Sequence, residues 1–334
     1  MPDLRIALLG CGFATRLHSR TLRRFPGVAR YYASRDPERA AQFSEEYGGA
    51  GHFGAYAAAI QDPAIDLVLV ATPPVTHLEL TLAALRAGKH VIVEKPPYLS
   101  SRDFAIVSEA ARSAGRRVFV AENYFYKPLL AELRELIQGG AVGEVRIVSV
   151  NALKLQRTGN WRDEPALAGG GALFEGGIHW VNFMSNMGLE VEDAHGYRPD
   201  PSGEPERTMV AVFRYAEGAI GTLYYSWEIG SPTKGLRLSS IYGTRGAITF
   251  ESNGILVAVR GRTKRLSLPH LRDLLGYHAM FEDFLSAIDT GRPARFELDA
   301  ARRDLELVER IYSTAESRAV GPSTALDTQP GTEP

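Results

Sequence analysis

Apolar residues fall in short, near-continuous runs along the first third of the chain. Leu4-Arg5-Ile6-Ala7-Leu8-Leu9, Val28 to Ser34, Leu67 to Ala71, Val91 to Val93 and Val118 to Val120 are aliphatic and β-branched, the texture of strands buried on both faces of a parallel sheet. Between them lie stretches with helical spacing, one ending near Arg24, others over Asp36 to Tyr47, Thr76 to Ala87 and Arg102 to Ala114. Asp36-Pro37 supplies an N-cap and a first-turn proline, and Gly48-Gly49 a stop. Strands alternating with helices of this length predict an α/β domain with a doubly wound (Rossmann) parallel sheet over residues 1–122.

Past Asn123 the period changes. Val145 to Leu153, Met209 to Tyr215, Ala219 to Trp227, Gly235 to Tyr242, Ala247 to Glu251 and Ile255 to Val259 read as strands, mostly joined by short turns such as Glu217-Gly218 and Ser252-Asn253-Gly254. That predicts a mostly antiparallel open sheet. Helices are expected over Pro128 to Gln138, Phe174 to Met187, Tyr277 to Asp289 and Asp299 to Glu316. The second unit, 123–320, is therefore a substrate-binding and oligomerisation α+β domain. Residues 321–334, rich in Pro, Thr and Gly, are expected to form a flexible tail.

Size and charge narrow the function. At 334 residues the chain suits two domains sharing a cleft. A formal charge of −1 without a lysine-arginine run speaks against nucleic-acid and anionic-membrane binding, which call for a basic excess. The single cysteine, Cys11, can form neither an internal disulfide nor a thiolate metal cluster. Strand-like sequence from Leu4 leaves no room for a signal peptide, and no apolar run approaches the roughly 20 residues of a membrane helix. The expectation is a soluble, cytoplasmic protein.

Candidate chemistry gathers at strand ends. Gly10-Cys11-Gly12-Phe13-Ala14-Thr15 sits between a strand and a helix, where two glycines permit a tight turn and close approach of a pyrophosphate. Thr15 occupies the third glycine position. After the second strand, Ser34-Arg35 offers a hydroxyl and a guanidinium where NAD-binding chains usually carry an acid, which favours the 2′-phosphate of NADP(H) over NAD(H). The alternative is that Arg35 is a solvated charge and Asp36 takes the ribose. Thr72, Pro73 and His77 follow the third of these strands and are expected to form a loop over the nicotinamide side, although Thr76 can equally serve as a helix cap. Glu94-Lys95-Pro96-Pro97 ends the run Lys89 to Val93 at the sheet edge where such folds bind ligands. A strand simply ending in two solvated charges is the bland alternative.

Taken in order, Gly10-x-Gly12 with His18, Ala71-Thr72-Pro73, Glu94-Lys95-Pro96, Trp161-Arg162 and the glycine run leading to His179 resemble the glucose-fructose oxidoreductase, inositol dehydrogenase and rhizopine-catabolism family (Gfo/Idh/MocA) of NAD(P)-dependent oxidoreductases. The resemblance covers nearly the whole chain. It implies that Lys95 lies beside the nicotinamide and the reacting carbinol, with Glu94 and Asn123 also near the cofactor. It also places Gly169 to Asn182 on the family segment that usually contains Asp, Gly, His and Asp. Here Glu175 stands for the first aspartate and Asn182 for the second. If helical, Glu175, His179 and Asn182 share one face. His179 is then the proton acceptor or donor, against the alternative of a structural histidine. A zinc site at Glu175 and His179 lacks a third histidine or cysteine at ligand spacing, so no metal is expected. Glu122-Asn123-Tyr124 and Asn160-Trp161-Arg162 are expected to line the same cleft, with Trp161 on a sugar face and Arg162 on hydroxyls or a carboxylate; packing between domains would equally account for Trp161 and Tyr124.

The implied activity is hydride transfer between a nicotinamide and a carbinol or carbonyl carbon of a sugar, sugar derivative or cyclitol, including the variant in which a tightly held cofactor recycles in one site. A dinucleotide-binding regulator of the same fold is the alternative, kept open by Asn182 and by the missing third glycine at Thr15. A homodimer or homotetramer through the C-terminal sheet is expected, since that sheet's outer face would otherwise be an exposed apolar patch.

Overall fold

A computed structural model describes residues 4–159, 161–200, 205–231, 233, 235–262, 264–269 and 271–316; Asn160 and the expected tail at 321–334 lie outside them. The first sheet takes its strands from β1 (Leu4–Leu9), β2 (Val28–Ala33), β3 (Gly51–Phe53), β4 (Leu67–Val70), β5 (His90–Val93) and β6 (Val118–Val120), ordered β3-β2-β1-β4-β5-β6. Every pair is parallel. Ile6 to Leu9 and Leu67 to Val70 are wholly buried, as strands covered on both faces must be. The covering helices are α1 (Phe13–Leu22), α2 (Pro37–Tyr47), α3 (Tyr56–Gln61), α4 (His77–Arg86) and α5 (Asp103–Ala114). The order reverses between β1 and β4, which opens a crevice at the strands' carboxyl ends.

After α6 (Pro128–Gln138), a second sheet of eight strands begins with β7 (Val145–Leu153). A short helix, α7 (Pro165–Ala168), and α8 (Ile178–Ser185) precede β8 (Val191–Tyr197), β9 (Thr208–Tyr215), β10 (Ile220–Ser226), β11 (Leu238–Gly243), β12 (Gly246–Glu251), β13 (Val257–Arg260) and β14 (Lys264–Ser267). Their order is β14-β13-β12-β11-β7-β10-β9-β8, antiparallel except for the β7–β10 pair. One face packs on helices through Val148, Val150, Leu223, Ile241 and Ile248, all wholly buried. Two C-terminal helices, α9 (Tyr277–Thr290) and α10 (Leu298–Glu316), bind the sheets together. Phe25 beyond α1 stacks on His278 of α9 at 4.8 Å, and Ser101 before α5 donates to Glu309 of α10.

Two differences from the sequence reading bear on the site. The strands β3, β8 and β14 and the helix α3 carry too short or too polar a pattern to be read in advance. The expected helix from Phe174 to Met187 is instead a π-helical turn, Leu173–Gly177, leading into α8 and ending at Ser185.

Candidate active site

A single cleft of about 940 Å³ runs from the glycine turn after β1 to the inner edge of the second sheet. Gly10 has φ +98°, and a Cβ there would meet the Ala71 carbonyl oxygen at 2.6 Å; only glycine fits this turn. Gly12 faces open space and caps α1 without a side-chain hydrogen bond, and the first turn of α1 holds no acid. Backbone N–H groups at the start of α1 are thus available to an anion. These features fit a dinucleotide pyrophosphate.

Phe13, Ala14, Ser34, Arg35, Asp36, Arg39 and Tyr56 continue the wall. Asp36 spends its Oδ1 on the N–H groups of Glu38 and Arg39, the N-cap the sequence predicts. Arg39, which the sequence reading missed, donates its Nε to the Cys11 carbonyl at 2.8 Å and so stands over the glycine turn. Burial pushes the Cys11 thiol up to about 11, with Arg39 opposing, which leaves it an unreactive wall residue.

Thr72, Pro73, Glu94, Lys95 and Asn123 line the middle of the cleft. Burial raises Glu94, but its 2.5 Å contact with His18 and the charge of Lys95 outweigh this and hold its carboxyl at about 2. His77, expected against the cofactor, lies elsewhere: it is buried, with Nδ1 2.9 Å from the Pro96 carbonyl and Nε2 2.8 Å from the Thr72 carbonyl. It braces the two loops together from behind, because the first turn of α4 points its side chain under them.

Lys95 donates its Nζ to the Glu175 carbonyl at 2.7 Å and lies 3.5 Å from Glu175 Oε1, which also accepts from Arg162 Nε at 2.9 Å. Burial raises Glu175, but Lys95 and Arg162 outweigh it, so the carboxyl stays below its ordinary range. His179 Nδ1 sits 2.6 Å from Glu122 Oε1, leaving Nε2 for the cleft. Its ring stacks on Tyr124 at 4.5 Å. Burial, helped by Lys95, drives His179 well below the usual histidine range, against the pull of Glu94 and Glu175. Burial raises Glu122 to about 8, although the Tyr124 N–H and Lys95 oppose it.

Asn182, expected on the same face, does not reach the cleft. It is 0% exposed and donates to Asp304 of α10 at 2.7 Å. His179 and Asn182 both lie on regular α8, after the π-turn, but three residues of α-helix set their side chains about 60° apart round the axis, and Asn182 falls on the side that packs against α10, where Asp304 holds it. Trp161, Arg162, Tyr124 and Glu175 do line the cleft, joined by Lys154, Gln156, Trp180, Tyr225, Trp227, Arg237 and Asn253. These last residues were not singled out in the sequence because no local motif carries them: Trp180 comes from α8 and the rest from strands of the second sheet and the turns at their ends. Among the described residues no cluster of His, Cys, Asp and Glu is arranged to hold a metal, and no helix is long and apolar enough to cross a membrane.

Comparison with known proteins agrees with this geometry. A family profile described as an oxidoreductase family with an NAD-binding Rossmann fold matches residues 4–122, and the GFO/IDH/MocA C-terminal domain matches 130–249. Levoglucosan dehydrogenase of Pseudarthrobacter phenanthrenivorans is 26% identical over 75% of this chain and 74% of its own length. D-glucoside 3-dehydrogenase of Escherichia coli K12 is 24% identical over 94% of this chain and 96% of its own. The crystal structure of GenD2 from gentamicin A biosynthesis, in complex with NAD, superposes with a TM-score of 0.81 at 26% identity, covering 95% of each chain.

Proposed function

Since this chain belongs to the Gfo/Idh/MocA family of NAD-binding oxidoreductases, we propose that it interconverts a carbinol and a carbonyl on a sugar, sugar derivative or cyclitol, with NADP(H) preferred over NAD(H). The observation that carries this reading is one cleft in which the open glycine turn meets Lys95, Glu175 and the Glu122–His179 pair. When bound, the nicotinamide supplies or takes up the hydride. Lys95, its ammonium fixed by Glu175, hydrogen-bonds the reacting oxygen and stabilises charge developing on it. His179 takes the hydroxyl proton at Nε2 in oxidation and returns it in reduction. Trp161 and Tyr124 give the sugar flat apolar surfaces.

The NADP(H) preference rests on Ser34 and Arg35 at the cleft wall, with Arg39 beside them and Asp36 occupied as a cap. GenD2 holds NAD, so the preference is argued from this chain's own residues. Arg35→Ala should weaken NADPH about 10- to 100-fold, the worth of one charge-assisted hydrogen bond, and leave NADH nearly unchanged; equal losses for both would refute it. The relatives named as dehydrogenases of levoglucosan and D-glucosides support a sugar-like substrate. We place the protein in the cytoplasm, in keeping with its lone thiol, and infer that a second copy covers the outer face of the eight-stranded sheet. Of the two features that keep the regulator reading open, Asn182 lies outside the cleft, and Thr15 stands at the third glycine position.

The test is absorbance of reduced nicotinamide during incubation with sugars, keto-sugars and cyclitols, on wild type and Lys95→Ala. Turnover by wild type should fall by a factor on the order of 10²–10⁴ in the variant; turnover that survives the substitution removes Lys95 from the chemistry.

A further inference from the structure

The substrate end of the cleft carries more positive charge than proton transfer requires. Lys95 and Arg162 are both matched by Glu175. Two further cations, Lys154 and Arg237, line the same walls. Lys154 follows the last residue of β7 and Arg237 precedes the first of β11. These strands run antiparallel side by side, so the end of one and the start of the other meet at one edge of the sheet. Lys154 donates its Nζ to Gln156 Oε1 at 2.9 Å. Arg237 is only 9% exposed; its Nη2 bonds Asn253 Oδ1, and its guanidinium lies 5.6 Å from the Trp180 ring. Among the described residues, neither cation forms an ion pair with a carboxylate. Glu251, the last residue of β12, spends its carboxylate on the N–H groups of Arg237 and Asn253 and on the Asn253 amide, and it does not line the cleft.

Such an arrangement is costly while empty. Lys154 at the rim faces the buried Arg237 with like charge, and a buried guanidinium without a carboxylate loses solvation that only an anion fully restores. Burial first, and then the charge of Arg237, pull Lys154 below the ordinary lysine value, with Glu175 opposing. The surrounding aromatic residues, Trp161, Trp180, Tyr225 and Trp227, suit the apolar faces of a sugar ring. The combination of flat apolar walls and two cations outside any ion pair among the described residues, at one end of the cleft, distinguishes this pocket from one shaped for hydroxyl groups alone.

We propose that the substrate is a sugar bearing a carboxylate or phosphate, bound through that group by Lys154 and Arg237 while the reacting carbon lies toward Lys95 and His179. The proposal rests on the oxidoreductase reading for where the reacting carbon lies; the anion site itself rests on the charge arrangement. It predicts stronger binding of charged than of neutral sugars, with an advantage that shrinks as salt screens it.

All three tryptophans of the chain, Trp161, Trp180 and Trp227, line the cleft, so quenching of their fluorescence reports binding directly. The full chain saturated with NADP⁺ is titrated with D-glucuronate, D-glucose 6-phosphate and D-glucose. At least one anionic sugar should bind about 10- to 100-fold tighter than glucose, and the two anions separate a carboxylate site from a phosphate site. Lys154→Gln and Arg237→Gln should each erase most of the advantage. Unchanged NADP⁺ affinity checks the fold of the buried Arg237 variant, and Lys154→Gln at the exposed rim provides the test independently of it. Neutral and anionic sugars bound equally, or an anion advantage surviving both substitutions, overturns the proposal. Turnover is read separately: oxidation of neutral sugars as fast as of acids leaves the oxidoreductase reading standing without the anion site, whereas tight anion binding without turnover keeps the site and defeats that reading.

Discussion

His179 takes its protonation from its neighbours. Its Nδ1 is 2.6 Å from Glu122, and burial raises that carboxyl to about 8. Lys95, Glu94, Lys127, Tyr124, Tyr277 and Asp304 also bear on Glu122. Below about pH 8 Glu122 keeps its proton and donates to Nδ1, so the ring hydrogen sits on Nε2, ready to be given to a carbonyl. Above that pH the carboxylate accepts from Nδ1–H and Nε2 presents a lone pair, ready to take a hydroxyl proton. Oxidation should therefore rise with pH through about 8 while reduction falls, read as opposite limbs in the two pH–rate profiles. Glu122→Gln should flatten both limbs there; the same inflection persisting in the variant would assign it to another group. Residues such as Lys95 and Gly10 were legible in the sequence because short motifs carry them. Glu122 could be named only as a cleft neighbour, since its pairing with His179 spans 57 positions. Asn182 and His77 were misplaced for the opposite reason: local spacing put them near the site, while Asp304 of α10 in one case and two carbonyl partners in the other hold them aside.

At the scale of elements, the turn between β1 and α1 and the π-turn before α8 hold the two halves of the site. Gly10→Ala forces a positive φ on a residue with a Cβ and drives that Cβ against Ala71. It should cost about 1–3 kcal/mol of stability and weaken dinucleotide binding, read by thermal melts with and without NADPH; a variant melting like wild type would show that the turn relaxes freely. The parallel strands were legible because burial on both faces leaves a continuous apolar run. The turn after Leu173 was not, since π and α turns share the same apolar periodicity over so short a stretch. Strands β3 and β14 span only 3 and 4 residues, too few to alternate visibly.

At the scale of the molecule, the outer face of the second sheet stands out. Tyr242 pairs with Ile147 and Ile147 with Ile220 across three strands, and each is 43–51% exposed; Leu238 and Tyr224 extend the patch. An apolar face of this extent favours a covering partner, so light scattering should give a mass of at least two chains. Ile147→Glu should shift it toward one; a single-chain mass in wild type would show that the face stands uncovered. Alternating strands at the N-terminal end and antiparallel strands after them made both sheets readable from the sequence. The cationic corner formed by Lys154 and Arg237 was not, because it exists only once β7 and β11 pair.

The central claim is that this cleft passes a hydride between nicotinamide and sugar, and tracing that hydride tests it most directly. Reduced cofactor deuterated at C4 would be incubated with the protein and a pool of keto-sugars, neutral and acidic, and the products analysed by mass spectrometry. The account predicts deuterium on a carbinol carbon of one product, lost in Lys95→Ala. Cofactor bound to the protein, with its deuterium retained and every keto-sugar unchanged, would contradict it.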